Sequence, residues 1–160
     1  MWRPELLHVL CLHLPLVTLP LATIAWVLRR LVQSASHRLF LGQLLMVMLV
    51  IGVPAAWIAI YTGENAYNVV VRTICDPPVL QAHQWWSYAS AITYSVTLAF
   101  LLGERWVPSR LKRLSGMLAG VMLMAGASGL IYSGHLGASV VYQQGGGTYK
   151  PSVSCEEFSE

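Results

Sequence analysis

Four stretches of this chain are apolar almost without a break, and short polar segments separate them. They cover residues 6–28, 39–61, 84–102 and 114–132. Each is near the ~20 residues a helix needs to cross a hydrocarbon core. The pattern predicts an all-α integral membrane protein, a four-helix bundle over residues 1–142, followed by a Gly-rich and acidic tail over 143–160. The first stretch is longer than the ~7–15 residue apolar core of a signal peptide, so it is read as a span.

Punctuation along the chain is sparse. Asp76-Pro77-Pro78 interrupts helix ahead of the third span, because proline lacks an amide donor and restricts the residue before it. Pro15 and Pro20 in span one and Pro54 in span two are tolerable if neighbours satisfy the freed carbonyls. In span four, Gly116 and Gly120 form a small-xxx-small pair, and Gly126 and Gly129 extend that surface for close helix packing. Trp85, Trp86, Tyr88 and Trp106 read as interfacial anchors. No internal repeat, heptad pattern or low-complexity linker is evident.

Composition agrees: 56% of the 160 residues are hydrophobic and 11% charged, too apolar for an ordinary soluble domain. Basic residues set the orientation. Arg29, Arg30 and Arg38 lie between spans one and two, and Arg105, Arg110, Lys112 and Arg113 between spans three and four, whereas Arg3, Arg72 and Lys150 lie on the other side. This places both termini and a loop over residues 62–82 on the outer, periplasmic side of a bacterial inner membrane. Cys75 and Cys155 would then share an oxidising compartment and could be bridged, while Cys11 reads as a small buried hydrophobe. Gly145-Gly146-Gly147 suits a tight turn that folds the tail back over the outer face. It has neither the lysine nor the strand-to-helix setting of a phosphate loop. Nothing resembles a nucleic-acid surface or a Ser-His-Asp constellation.

Histidines carry the candidate chemistry. His8 and His13 fall in the outer part of span one, His83 at the outer start of span three and His135 at the outer end of span four, with His37 alone on the cytoplasmic side. Ionisable side chains at membrane depth usually face the bundle interior and act as ligands or relays. Imidazole suits haem iron, and also copper or zinc. His13 and His83 are the first choice for axial ligands of haem b, on the reading that the third helix begins near Val79. His8 and His135 form a second pair, or partners of the first, with one haem or two. The five residues from His8 to His13 turn ~140° around a helix, so the two rings do not serve one compact site. Glu64, just after span two, is a candidate partner to a neighbouring histidine.

The motifs also carry a resemblance. "LHVLCLHLPLVTLPLA" (7–22), "YTGENAY" (61–67), "AHQWW" (82–86) and "SGHLGASVVYQQGGGTY" (133–149) resemble, in order and with matching topology, the signatures of the DUF2231 transmembrane family. The resemblance implies a four-span membrane protein whose His8, His13, His83 and His135 gather on one side. Similar domains joined to c-type cytochrome modules imply a redox or haem role by association. The chain lacks Cys-x-x-Cys-His, so any haem is held non-covalently.

The reading is therefore a cytochrome-like electron-transfer subunit in the lipid bilayer, with a redox partner such as a c-type cytochrome, rather than a stand-alone enzyme. Two alternatives stand beside it. One is a cofactor-free accessory subunit of a larger respiratory or photosynthetic complex; the other is a copper- or zinc-binding membrane protein using the outer histidines and Glu64. Four spans without a repeat give little to build a transporter from.

Overall fold

Proline opens the first and third helices, at positions where the missing amide donor has no helical acceptor to lose. Helix α1 (Pro4–Leu31) leads through a short turn into α2 (Ala35–Val70). Helix α3 (Pro77–Gly103) leads through two 3₁₀ turns, Glu104–Trp106 and Ser109–Leu111, into α4 (Lys112–Ala138). A π turn, Ser139–Gln143, ends the last helix. A computed structural model describes residues 3–148, and all its regular structure is helical. Cys155, the proposed partner of Cys75, and the acidic end of the tail lie outside the described residues.

Three helical segments, Pro4–Leu31, Ala35–Val70 and Ser109–Gln143, are long and apolar enough to cross a membrane. Helix α3 is as long as α4 but rich in hydroxyl side chains. Ser87, Ser90, Thr93, Ser95 and Thr97 each donate to the carbonyl four residues earlier, at 2.7–2.8 Å. Their polar groups are thus satisfied within the helix itself.

The expected outer loop over 62–82 is not formed. Helix α2 continues to Val70 and α3 starts at Pro77, leaving a short connection between them. Polar Thr62, Glu64, Asn65 and Asn68 end the apolar run without ending the helix. Val70 continues it because it packs with Ile74, Leu80 and Val140 in a small outer cluster.

Contrary to the sequence reading, the fold is a repeat. α1 packs on α2 and α3 on α4, making two hairpins whose contacts correspond at two pairs of glycines. A Cβ on Gly52 would strike Leu19, and one on the corresponding Gly126 would press on Tyr94. Gly63 faces the ring of His8, and the corresponding Gly137 faces that of His83. At the same constant spacing, buried Leu41, Leu45, Leu49, Ala55, Ala59 and Ala66 of α2 correspond to buried Ser115, Ala119, Leu123, Gly129, Ser133 and Val140.

Tyr94, Leu19, Leu49, Leu123 and Thr97 form the fully buried centre of the bundle. There Tyr94 and Thr23 share a hydrogen bond of 3.0 Å, and the Tyr94 hydroxyl also reaches the Leu19 carbonyl at 3.3 Å. This ties α3 to α1 across the interior. Towards the other end, the glycines of α4 admit large side chains of α1. A Cβ on Gly120 would overlap the Trp26 ring, and Arg30 lies over both Trp26 and Gly116. The small-residue surface of α4 is consumed by packing within the bundle.

Candidate functional site

The site grows from one local device used twice. A helical carbonyl is flanked by the side chain four residues on, and glycine there uncovers it. Gly63 lies four residues after Ala59, and His8 crosses from α1 to place Nδ1 2.9 Å from the Ala59 carbonyl. Gly137 lies four residues after Ser133, and His83 crosses from α3 to place Nδ1 2.8 Å from the Ser133 carbonyl. Each ring lies flush on its glycine, with Cε1 3.0 Å from where a Cβ would stand.

A carbonyl can only accept, so Nδ1 carries the proton in both rings and, in the neutral imidazole, Nε2 is left with a bare lone pair. Both histidines line one cavity of about 450 Å³ between the two hairpins, within the range of small-molecule and cofactor sites. Their ring centroids are 6.4 Å apart and their planes nearly perpendicular, at 77°. Around His83, Ser87 bonds Ser133 at 2.7 Å and the Ser133 hydroxyl stands 3.2 Å from Nδ1, which fixes the ring further.

Two imidazoles this close could each offer Nε2 to one metal ion. A metal bonded to Nε2 of each ring at about 2.0–2.1 Å would hold the centroids roughly 6 Å apart. Copper or zinc needs further protein donors, whereas a macrocycle brings its own equatorial nitrogens. Among the described residues no group of three or more His, Cys, Asp or Glu side chains is placed to hold a metal ion. His8 and His83 are the residues that would hold haem iron, and the apolar walls contributed by Leu12, Leu16, Leu19, Ile60 and Leu130 suit a macrocycle.

The expected gathering of four outer histidines is only half realised. His8, not His13, comes to His83. His13 is exposed on α1 and bonds the Val9 carbonyl of its own helix at 2.7 Å, which follows from the ~140° that separates the two rings. His135 is also exposed, stacked on Tyr132 at 6.4 Å. Glu64 lines the cavity but pairs with no histidine; its carboxylate accepts the Tyr88 hydroxyl. His37 is exposed near the start of α2, at the opposite end of the bundle.

Sequence reasoning missed Ala59, Gly63, Ser133, Gly137 and Glu5. The signal for the first four was the recurrence of a small residue four positions ahead of a glycine near the outer end of the second and fourth helices. Glu5 is buried beside the cavity. One carboxylate oxygen pairs with Arg3, and the other, Oε2, has no hydrogen-bond partner among the described residues. The glycine turn lines the same cavity beside Glu5. Gly145 and Gly147 take left-handed conformations, φ 69° and 72°, and the amide of Gly146 donates to Val140 at 2.9 Å. A side chain on Gly146 would strike Val140 and Val70, and Gly147 lies against Glu5.

No family model matches the chain, and neither a curated protein nor a solved structure matches it.

Proposed function

We propose that this chain is a four-span membrane protein that binds one haem b between its two hairpins, with His8 and His83 as axial ligands. The observation that carries the reading is the matched pair of imidazoles. Each is anchored through Nδ1 to a backbone carbonyl, and both line the shared cavity at 6.4 Å between centroids. Anchoring through Nδ1 is the usual support of a metal-binding histidine, since it fixes the tautomer and raises ligand basicity. Bound iron would exchange one electron between its ferric and ferrous states. The protein's part is to orient the two rings, exclude water with the glycine turn and surround the site with apolar side chains.

The arginine-rich connections between α1 and α2 and between α3 and α4 favour an orientation with the histidine end on the periplasmic side of a bacterial inner membrane. A redox partner such as a c-type cytochrome would then meet that end. Absorption spectra of protein purified from haem-supplied cells, oxidised and then reduced, test the proposal. Haem bands are expected in the native protein, absent from His8→Ala and His83→Ala, and retained in His13→Ala and His135→Ala. A native protein without haem bands, or bands that survive loss of His8, would refute it.

A further inference from the structure

The repeat gives the bundle two comparable seams between its hairpins, and they differ. Along the α2–α3 seam the Tyr88 hydroxyl donates to Glu64, Trp57 packs edge-on against Tyr88 at 6.0 Å, and the Trp57 indole donates to Ser95 at 3.0 Å. Of the cavity-lining residues that α2 and α3 contribute, only Glu64 is exposed. The corresponding positions along the α1–α4 seam are His13, opposite Tyr88 in the repeat, and Ala138, opposite Glu64. Alanine accepts no hydrogen bond through its side chain, and His13 is bonded to its own helix instead. No latch forms there.

The α1–α4 seam is open. Leu6, Val9 and Leu16 of α1, with Gly134 and Ala138 of α4, line the cavity and are exposed at the same time. A Cβ on Gly134 would have nothing within 4 Å. At the end of the cavity beside the glycine turn, Gly146 lines the wall and packs on Val70 and Val140. Along this seam the cavity is open towards the side of the bundle. On a helix that crosses a bilayer, that side faces lipid.

We infer that the cavity is loaded sideways from the lipid, through a portal between α1 and α4, by a flat and mainly apolar ligand dissolved in the histidine-side leaflet. Glu5, whose Oε2 has no hydrogen-bond partner among the described residues, lines the same cavity. That the ligand is haem rests on the preceding reading; the route does not.

The test is built so that the two fail separately. In full-length protein with Cys11, Cys75 and Cys155 changed to serine, Ala56→Cys places a thiol on the cavity wall. Reconstituted in liposomes, it is exposed to pyrene maleimide, which partitions into lipid, or to a sulfonated maleimide, which does not. The lipophilic reagent should label this thiol and the sulfonated one should lag far behind. Gly134→Leu, whose side chain has space at the seam, should slow lipophilic labelling about tenfold, the effect of raising the barrier by roughly 1.4 kcal/mol. Ala138→Leu should act in the same direction. Ser128→Leu, which adds equal bulk on the exposed surface of α4 away from the cavity, should not. Labelling that is unchanged in both seam variants, or equally fast with the sulfonated reagent, overturns the portal. Absence of haem bands in the native protein would strike the haem reading and leave the labelling result standing.

Discussion

Substituting Gly137 by alanine puts the anchoring of His83 to a quantitative test. The added methyl would stand 3.0 Å from His83 Cε1 and 3.2 Å from Nδ1, where ordinary contact begins at 3.4 Å. The ring must then retreat by about 0.4 Å, which stretches its 2.8 Å bond to the Ser133 carbonyl towards about 3.2 Å, the long end of the N–H···O range. A hydrogen bond of this kind contributes a net ~0.5–1.5 kcal/mol. Loss of the group that orients a ligating histidine typically weakens metal binding ~10–100-fold. Haem affinity, followed by Soret absorbance during titration of the apoprotein in detergent, should therefore fall about tenfold or more, equivalent to at least ~1.4 kcal/mol. The control is Gly42→Ala, whose Cβ would meet only the flexible Arg29 side chain, at 3.4 Å, far from the site. Both variants gain the ~0.5–1 kcal/mol by which alanine favours a helix over glycine, so a drop in affinity cannot be ascribed to loss of helix. Equal affinities in Gly137→Ala and Gly42→Ala would refute the claim that the glycine seats the histidine.

Two further predictions concern the bundle. Gly120→Ala forces a methyl into the Trp26 ring and should lower stability by ~1–3 kcal/mol, seen as a lower Tm in detergent; pairing it with Trp26→Leu should recover much of the loss. Thr23→Val and Tyr94→Phe each leave a buried partner with a weakened hydrogen-bond set and should each cost ~1–3 kcal/mol, whereas the double variant should cost less than their sum. Strict additivity in a chemical-unfolding series would show that the two hydroxyls are not coupled.

Much of the fold was legible. Four helices follow from four apolar runs, and the helix start at Pro77 from the Asp-Pro-Pro punctuation. What hydropathy does not supply is azimuth. Along α1 ahead of Arg29 the few polar side chains, Glu5, His8, His13, Thr18 and Thr23, are spread around the helix, so nothing in the pattern says that His8 points inward and His13 outward until α2 provides an uncovered carbonyl. The repeat was hidden for a related reason. Read by letters, Tyr61-Thr62-Gly63 aligns with Tyr132-Ser133-Gly134, yet the structure equates Gly63 with Gly137, almost one turn further along. Equivalence lies in which residue uncovers a carbonyl, and few identical residues survive at that spacing. Hydropathy alone ends α2 where its polar residues begin, although Ala66 and Val70 beyond the apolar run are buried, Val70 against Ile74, Leu80 and Val140.

Each hairpin carries one histidine and one glycine-seated carbonyl, so neither hairpin alone holds more than half of a site. Two identical hairpins associating as separate chains would reproduce the same pair of rings, but symmetry would oblige both seams to be alike. Joining the halves in one polypeptide removes that obligation. Position 88 can become tyrosine while its counterpart at 13 stays histidine, and position 64 can become glutamate while its counterpart at 138 stays alanine. Covalent linkage of the halves is what allows one side of the molecule to serve as a wall and the other as a door.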